Sequence, residues 1–202
     1  MTEKKNRKSK VELLSPAGSY ESLMAAIKAG ADSIYFGVEQ LNMRARSANN
    51  FSLNDLKKIA GICKENNMKS YLTLNTILYD HDISLMKNIV DSAIKNEISA
   101  IIASDHSVLS YCKKTGIETH ISTQANITNM DTVEFYSSFA DVIVLARELS
   151  LKQVRAIIKQ VKRRKIAGPK GELMKIEIFG HGAFCMAISG KCYMSLHSNY
   201  AS

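Results

Sequence analysis

The feature that most constrains the fold is a repeated alternation of short apolar runs with longer segments of helical period. This alternation is typical of βα units that build a parallel sheet. The predicted strands are Val11–Ser15, Ser33–Val38, Ser70–Asn75, Ala100–Ala103, Glu118–Ser122, Asp141–Leu145 and Lys175–Phe179. The predicted helices are Tyr20–Ala29, Leu53–Asn66, Ser84–Asn96, Ser107–Lys114, Met130–Phe139 and Leu151–Arg164.

Two patterns decide between the α/β architectures. No G-x-G-x-x-G opens a helix after the first predicted strand, so a TIM-like (β/α) barrel is favoured over a doubly wound sheet. The predicted strands are one short of the eight in a closed barrel, so we expect an incomplete barrel. We expect a single domain over residues 11–202, preceded by a basic arm at 1–10.

Hydropathy and cysteine usage narrow the class of protein. The chain has 202 residues, of which 46% are hydrophobic, yet it contains no apolar run long enough to span a membrane and no apolar segment behind its charged N-terminus. We therefore expect a cytoplasmic protein with no membrane partner. Four cysteines are too few for a disulfide scaffold and favour thiolate or metal chemistry.

The net charge of +8 is concentrated in two places. One is the arm, and the other is Lys159–Lys165 at the end of the last predicted helix. Charged segments like these are commonly exposed to solvent without a specific partner, and cations also complement the helix dipole at a C-terminus. The two basic segments would equally suit binding to the phosphates of an RNA partner.

The stretch Glu177–Ser195 is the strongest candidate site. Its glycines allow close approach of a ligand, and Cys185 and Cys192 offer two thiols seven residues apart. The spacing alone leaves two readings open, metal or cofactor ligation and burial as small apolar side chains. Cys63 and Cys112 fall at helical spacing with apolar neighbours, so we predict that both lie in the core.

Polar residues follow the predicted strands, where a barrel builds its active site. Arginine suits carboxylate or phosphate, which predicts an anionic ligand, although capping and turn roles explain many polar residues at such positions. The candidates are Arg44, Arg46, Asn75, Asp105, Gln124, Asn126, Arg147, Glu148 and His181.

These residues carry a resemblance over nearly the whole chain after the arm. The stretch from Glu177 resembles the signature of the peptidase U32 family, the collagenase-like proteases, which also include tRNA uridine hydroxylation and oxygen-independent ubiquinone hydroxylation proteins. The matching residues are Glu177, Phe179, Gly182, Ala183, Cys185, Gly190, Cys192, Met194 and Ser195, while Phe184 replaces the usual aliphatic residue. Shorter stretches also resemble the family, namely Leu14–Gly18, Tyr35–Gly37, Arg44–Phe51, Ser122–Asn126 and Ala146–Leu149.

The resemblance implies a [4Fe-4S] cluster for which Cys185 and Cys192 are the first two ligands. It also implies two further cysteines downstream, so we expect a chain that is truncated relative to the family and a cluster site that is incomplete. The implied activity is hydroxylation of the wobble uridine of tRNA, with prephenate as a possible co-substrate.

Two other functions stay open. A peptidase would use Cys185 as nucleophile with His181 or His197 as base, although neither H-E-x-x-H nor G-x-S-x-G occurs. A non-catalytic chain would require a partner chain or the missing downstream segment.

Overall fold

The computed structural model describes residues 11–38, 41–43, 51–182 and 185–192. The basic arm and the candidates Arg44 and Arg46 lie outside the described residues.

The described residues contain seven parallel strands in a single sheet, in which each strand pairs with the next along the chain. The strands are β1 Leu14–Pro16, β2 Ser33–Phe36, β3 Lys69–Leu74, β4 Ala100–Ala103, β5 Thr119–Ile121, β6 Val142–Val144 and β7 Lys175–Glu177. The sheet curls into a half-barrel of TIM-like α/β architecture, as the alternation predicts.

Six α-helices alternate with these strands in the part of the chain that the structure describes. They are α1 Tyr20–Ala29, α2 Leu56–Glu65, α3 Ile83–Lys95, α4 His106–Thr115, α5 Met130–Ser137 and α6 Leu151–Arg164. None of these helices is long and apolar enough to cross a membrane.

The predicted helix Leu53–Asn66 begins with a 3-10 turn over Leu53–Asp55, and the α-helix starts only at Leu56. The Asp55 carboxylate stabilises this start by accepting hydrogen bonds from the backbone amide and the hydroxyl of Ser52, each at 2.8 Å. Ser19 and Ser150 cap α1 and α6, their hydroxyls accepting from the backbone amides of Ser22 and Gln153.

The two faces of the sheet differ in character. Alternate strand residues such as Ile34, Leu72 and Ile101 face the helices and form the main apolar core. Cys63 and Cys112 belong to that core, with only 1% and 0% of their surface exposed, so this prediction is confirmed.

The interior face of the curled sheet carries a much smaller apolar cluster of Tyr71, Ala100 and Ile102. Polar side chains share this face, because the ring of His120 packs against that of Tyr71 and Glu177 lies 4.0 Å from His120.

Candidate functional site

The cysteine segment, residues 185–192, is fixed to the turn that follows β6. The Ser189 amide donates to Glu148 Oε1 at 2.7 Å, and the Ser189 hydroxyl accepts from the Arg147 amide at 3.4 Å and from Arg147 Nε at 3.5 Å. Ser189 is almost fully buried by these contacts. Arg147 also lies over the ring of Phe179, 5.8 Å from its centroid, so one arginine contacts both Phe179 and Ser189.

The same segment packs against the turn that follows β5. Gly190 has a φ of 76°, and a Cβ built on it would lie 2.1 Å from the carbonyl oxygen of Gln124. Only glycine tolerates both that conformation and that approach. The structure therefore brings together the sequence candidates Gln124, Arg147, Glu148 and the cysteine segment.

The two cysteines of this segment are accessible, Cys185 being exposed and Cys192 partly buried. A hydrogen bond from the Ala187 backbone and another from the Arg147 side chain lower the pKa of the Cys185 thiol. Burial instead raises the pKa of Cys63 to about 11 and that of Cys112 to about 12. Cys185 is thus suited to act as a thiolate, whereas the helix cysteines are not.

Asn75, at the end of β3, connects two of the loops at this end of the sheet. Its Oδ1 accepts from the Met43 amide at 3.2 Å, and its Nδ2 donates to the Ser122 hydroxyl at 3.4 Å. That hydroxyl also accepts from the Gln124 amide at 3.3 Å. Asn75 therefore supports the turn on which the cysteine segment rests.

Three oxygen atoms in that turn are buried without a hydrogen-bond partner among the described residues. They are Thr123 Oγ1, Gln124 Oε1 and Asn126 Oδ1. Buried acceptors are normally paired, so these atoms are suited to a ligand that presents N–H or O–H donors.

The remaining sequence candidates are placed differently. Asp105 caps α4 by accepting from the Ser107 amide at 2.8 Å, and it also accepts from the Leu78 amide at 3.3 Å. It therefore has a capping role in this structure. His181 is exposed and, within the ranges that the structure describes, makes no hydrogen bond or ion pair with Cys185, while His197 lies outside those ranges.

Sequence reasoning missed Ser189, and it missed a charged cluster in the barrel interior that includes Glu118, His120 and Glu177. The spacing of Glu118 and His120 could have signalled the cluster, because residues two apart on a strand share a face. No group of three or more His, Cys, Asp or Glu suited to a metal ion occurs in the ranges the structure covers.

Comparison with known proteins assigns the family. Residues 18–202 match the profile of peptidase family U32. A protein named collagenase from Porphyromonas gingivalis is 60% identical over 95% of this chain and 46% of its own length. The tRNA hydroxylation protein P1 of Bacillus subtilis is 30% identical over 93% of this chain and 42% of its own.

A third relative, the 23S rRNA 5-hydroxycytidine C2501 synthase of Escherichia coli, is 34% identical over 92% of this chain and 26% of its own length. The chain thus spans less than half the length of these relatives. Among solved structures, the U32 peptidase Mk0906 matches with a TM-score of 0.64 at 13% identity, covering 88% of this chain and 71% of that one, which supports the fold alone. The signature residues, the barrel and the family profile agree, and the chain belongs to peptidase family U32.

Proposed function

We propose that this chain is the barrel region of a protein that hydroxylates a pyrimidine base in RNA, with the wobble uridine of tRNA as the leading substrate. The main support is that two relatives are named for the hydroxylation of RNA, one of tRNA and the other of a cytidine in 23S rRNA. The three buried oxygens of the turn after β5 support it, because pyrimidine edges present N–H donors.

A basic stripe on α6 also supports an RNA partner. The stripe consists of Lys152, Arg155, Lys159 and Lys162, which are exposed at spacings that put them on one helix face. The described residues provide no ion pair to any of the four, and α6 contains no acidic residue. The helix begins just after Arg147 and Glu148, so the stripe runs away from the cysteine segment over about 15 Å.

The donor set fits a thiolate-bound cofactor in part. Cys185 and Cys192 lie on one anchored segment, and the electrostatics at Cys185 favour the thiolate. Cys63 and Cys112 do not fit, because burial disfavours their ionisation. An iron–sulfur cluster normally takes four thiolates, so these two residues would supply half of its ligands. Such a group would provide electron transfer, and Arg147 would balance part of its negative charge.

The activity is tested by analysing RNA nucleosides from cells that lack the gene. We expect loss of one hydroxylated pyrimidine, restored by the wild-type gene and by Cys63→Ser but not by Cys185→Ser. Unchanged nucleosides in the deletion strain would contradict the proposal.

The RNA surface is tested with the triple variant K152E/R155E/K159E. Its matched control, K57E/K95E/K114E, makes the same charge change at exposed lysines on α2, α3 and α4. We expect only the α6 variant to weaken tRNA binding by about tenfold or more and to reduce the slope of log affinity against log salt by about 2 to 3. Equal losses in both variants would show non-specific attraction, and equal loss of binding to anionic vesicles would indicate a membrane surface instead.

One observation favours a peptidase, namely the 60% identity to a protein named collagenase. In this structure the side-chain contact that lowers the pKa of Cys185 comes from Arg147, and the described residues place no histidine against the thiol. A nucleophilic thiol needs a base within hydrogen-bond reach. Collagen cleavage that disappears in Cys185→Ser and persists after metal chelation would favour the peptidase.

A further inference from the structure

The barrel interior contains charged side chains that play no part in the cysteine site. His120, in the middle of β5, is the most deeply buried of them, with its side chain 3% exposed. Its ring packs against the ring of Tyr71, with centroids 4.5 Å apart. A buried imidazole needs a partner for both of its nitrogens.

One nitrogen of His120 is satisfied. Nε2 lies 3.2 Å from Glu118 Oε1, and the hydrogen bond with His120 helps to lower the pKa of Glu118 to about 2. The Glu118 carboxylate is therefore ionised near neutral pH and only accepts hydrogen bonds. Nε2 must then carry a hydrogen and donate it.

The other nitrogen is not satisfied. Nδ1 is buried and has no hydrogen-bond partner among the described residues. The polar atom facing it is Glu177 Oε2, 4.0 Å away, beyond hydrogen-bond distance but within reach of a small side-chain movement. If neither group held a proton, a lone pair on Nδ1 would face a carboxylate with no donor between them.

The surroundings of Glu177 also favour a bound proton. Burial raises the pKa of Glu177 most strongly; the nearby His120 ring lowers it, the negative charge of Glu12 raises it further, and the net direction is upward. Glu12 is itself engaged by the Tyr71 hydroxyl and by Lys69, and Glu118 is engaged by Lys170. Each lysine near the cluster therefore neutralises another carboxylate, and Lys175 pairs with Glu172 at 3.4 Å.

We propose that His120 Nδ1 and Glu177 hold one proton between them at neutral pH and form a proton-transfer pair inside the barrel. The proton passes between Nδ1 and Oε2, and no other bond changes. The pair then exists either as imidazolium with carboxylate or as neutral imidazole with carboxylic acid, and both forms remove the unfavourable contact.

Glu177 places one end of this pair near the candidate site at the carboxyl end of the sheet. Glu177 is the last residue of β7, at the end of the sheet where barrels build their active sites. Its side chain is 28% exposed against 3% for His120, so Glu177 is the end of the pair that can exchange a proton with solvent or a ligand. Its carbonyl accepts from the Leu145 amide at 3.0 Å, two residues before Arg147.

The pair is tested by counting its protons at pH 7 with NMR. Selective ¹⁵N labelling of histidine and ¹³C labelling of the glutamate carboxyl report the state of each group, with His120→Gln and Glu177→Gln assigning the signals. We expect one proton on Nδ1 or on the Glu177 carboxyl in addition to the proton on Nε2. A carboxylate signal for Glu177 together with an unprotonated Nδ1 would overturn the proposal.

A second measurement uses the pH dependence of unfolding. In the unfolded chain histidine titrates near about 6.5. Above that pH the unfolded chain has lost the additional proton that the proposal assigns to His120 Nδ1 and Glu177 in the native state. The native state then loses stability as pH rises, and the unfolding equilibrium constant should increase by up to about tenfold per pH unit above about pH 7.

Glu177→Gln and His120→Gln should each remove that part of the slope. Glu172→Gln is the matched control, because Glu172 precedes β7, is exposed and pairs with Lys175, and its variant should keep the wild-type slope. Identical slopes in all four proteins would overturn the proposal, even if the proposed RNA activity were intact.

Discussion

The two helix cysteines and the two loop cysteines show how differently one residue type behaves in this fold. Cys63 and Cys112 lie on helix faces against the sheet, where burial raises the pKa of each thiol. Cys185 lies on an anchored segment beside Arg147, where the pKa of its thiol falls. Thiolate chemistry in this protein therefore depends on the contacts around each cysteine and not on the number of cysteines.

The largest expected effect is on alkylation rates in native protein freed of any bound metal. Because the pKa of Cys112 is about 12 and that of Cys185 lies below 9.0, the thiolate fraction differs by at least about a thousandfold. Iodoacetamide labelling followed by peptide mass spectrometry measures both rates in one sample. The difference should vanish after denaturation, and similar rates in native protein would break the comparison.

Gly190→Ala tests whether the loop contacts hold the segment in place. A Cβ at Gly190 would clash with the Gln124 carbonyl, so we expect the segment to detach and the Ser189 amide to exchange hydrogen about tenfold or more faster. Gly180→Ala is the control, because no atom lies within 4 Å of its added Cβ. Unchanged exchange in Gly190→Ala would show that the segment is held by other contacts.

Serine substitutions at Cys112 and Cys185 show which of the two cysteines contributes to the stability of the fold. Cys112→Ser puts a more polar hydroxyl in a fully buried position, where Thr119 is its polar neighbour, and should lower the unfolding free energy by about 1 to 3 kcal/mol. Cys185→Ser, on the exposed segment, should change it by less than about 0.5 kcal/mol. Urea denaturation measures both, and a larger loss for Cys185→Ser would reverse the comparison.

The smallest effect is expected for Arg147→Met, which removes the cation beside Cys185 and retains most of the side-chain length. The pKa of Cys185 should rise toward that of an ordinary thiol, so alkylation at pH 7 should slow by about threefold to tenfold. The pH profile of alkylation measures the change, with Arg155→Met on α6 as control. An unshifted profile would show that the Ala187 hydrogen bond alone sets the pKa.

Much of the fold followed from local pattern. The alternation of strands and helices predicted all seven strands with bounds correct to within three residues, and α1 and α6 at their observed bounds. The core placement of Cys63 and Cys112 followed from helical spacing. In α3, helical spacing aligns Leu85 with Ile89, yet Met86 is fully buried and Leu85 only partly buried. Spacing alone does not distinguish two faces that differ by one residue.

The site was only partly predictable because its contacts join residues far apart in sequence. The rim positions of Gln124, Arg147 and Glu148 followed from barrel architecture, but the role of Ser189 in joining them depends on contacts over 41 and 42 residues. The interior pair joins His120 on β5 to Glu177 on β7. These residues come together only through the curvature of the whole sheet, which cannot be read from the sequence of one strand.

The most direct test of the account is the iron and acid-labile sulfide content of the protein purified without oxygen as its gene encodes it. We predict iron and sulfide in the wild type and in Cys63→Ser, and loss of both in Cys185→Ser and Cys192→Ser. Iron and sulfide that persist without Cys185 and Cys192, or their absence from the wild type, would contradict the assignment of these two thiols as cluster ligands.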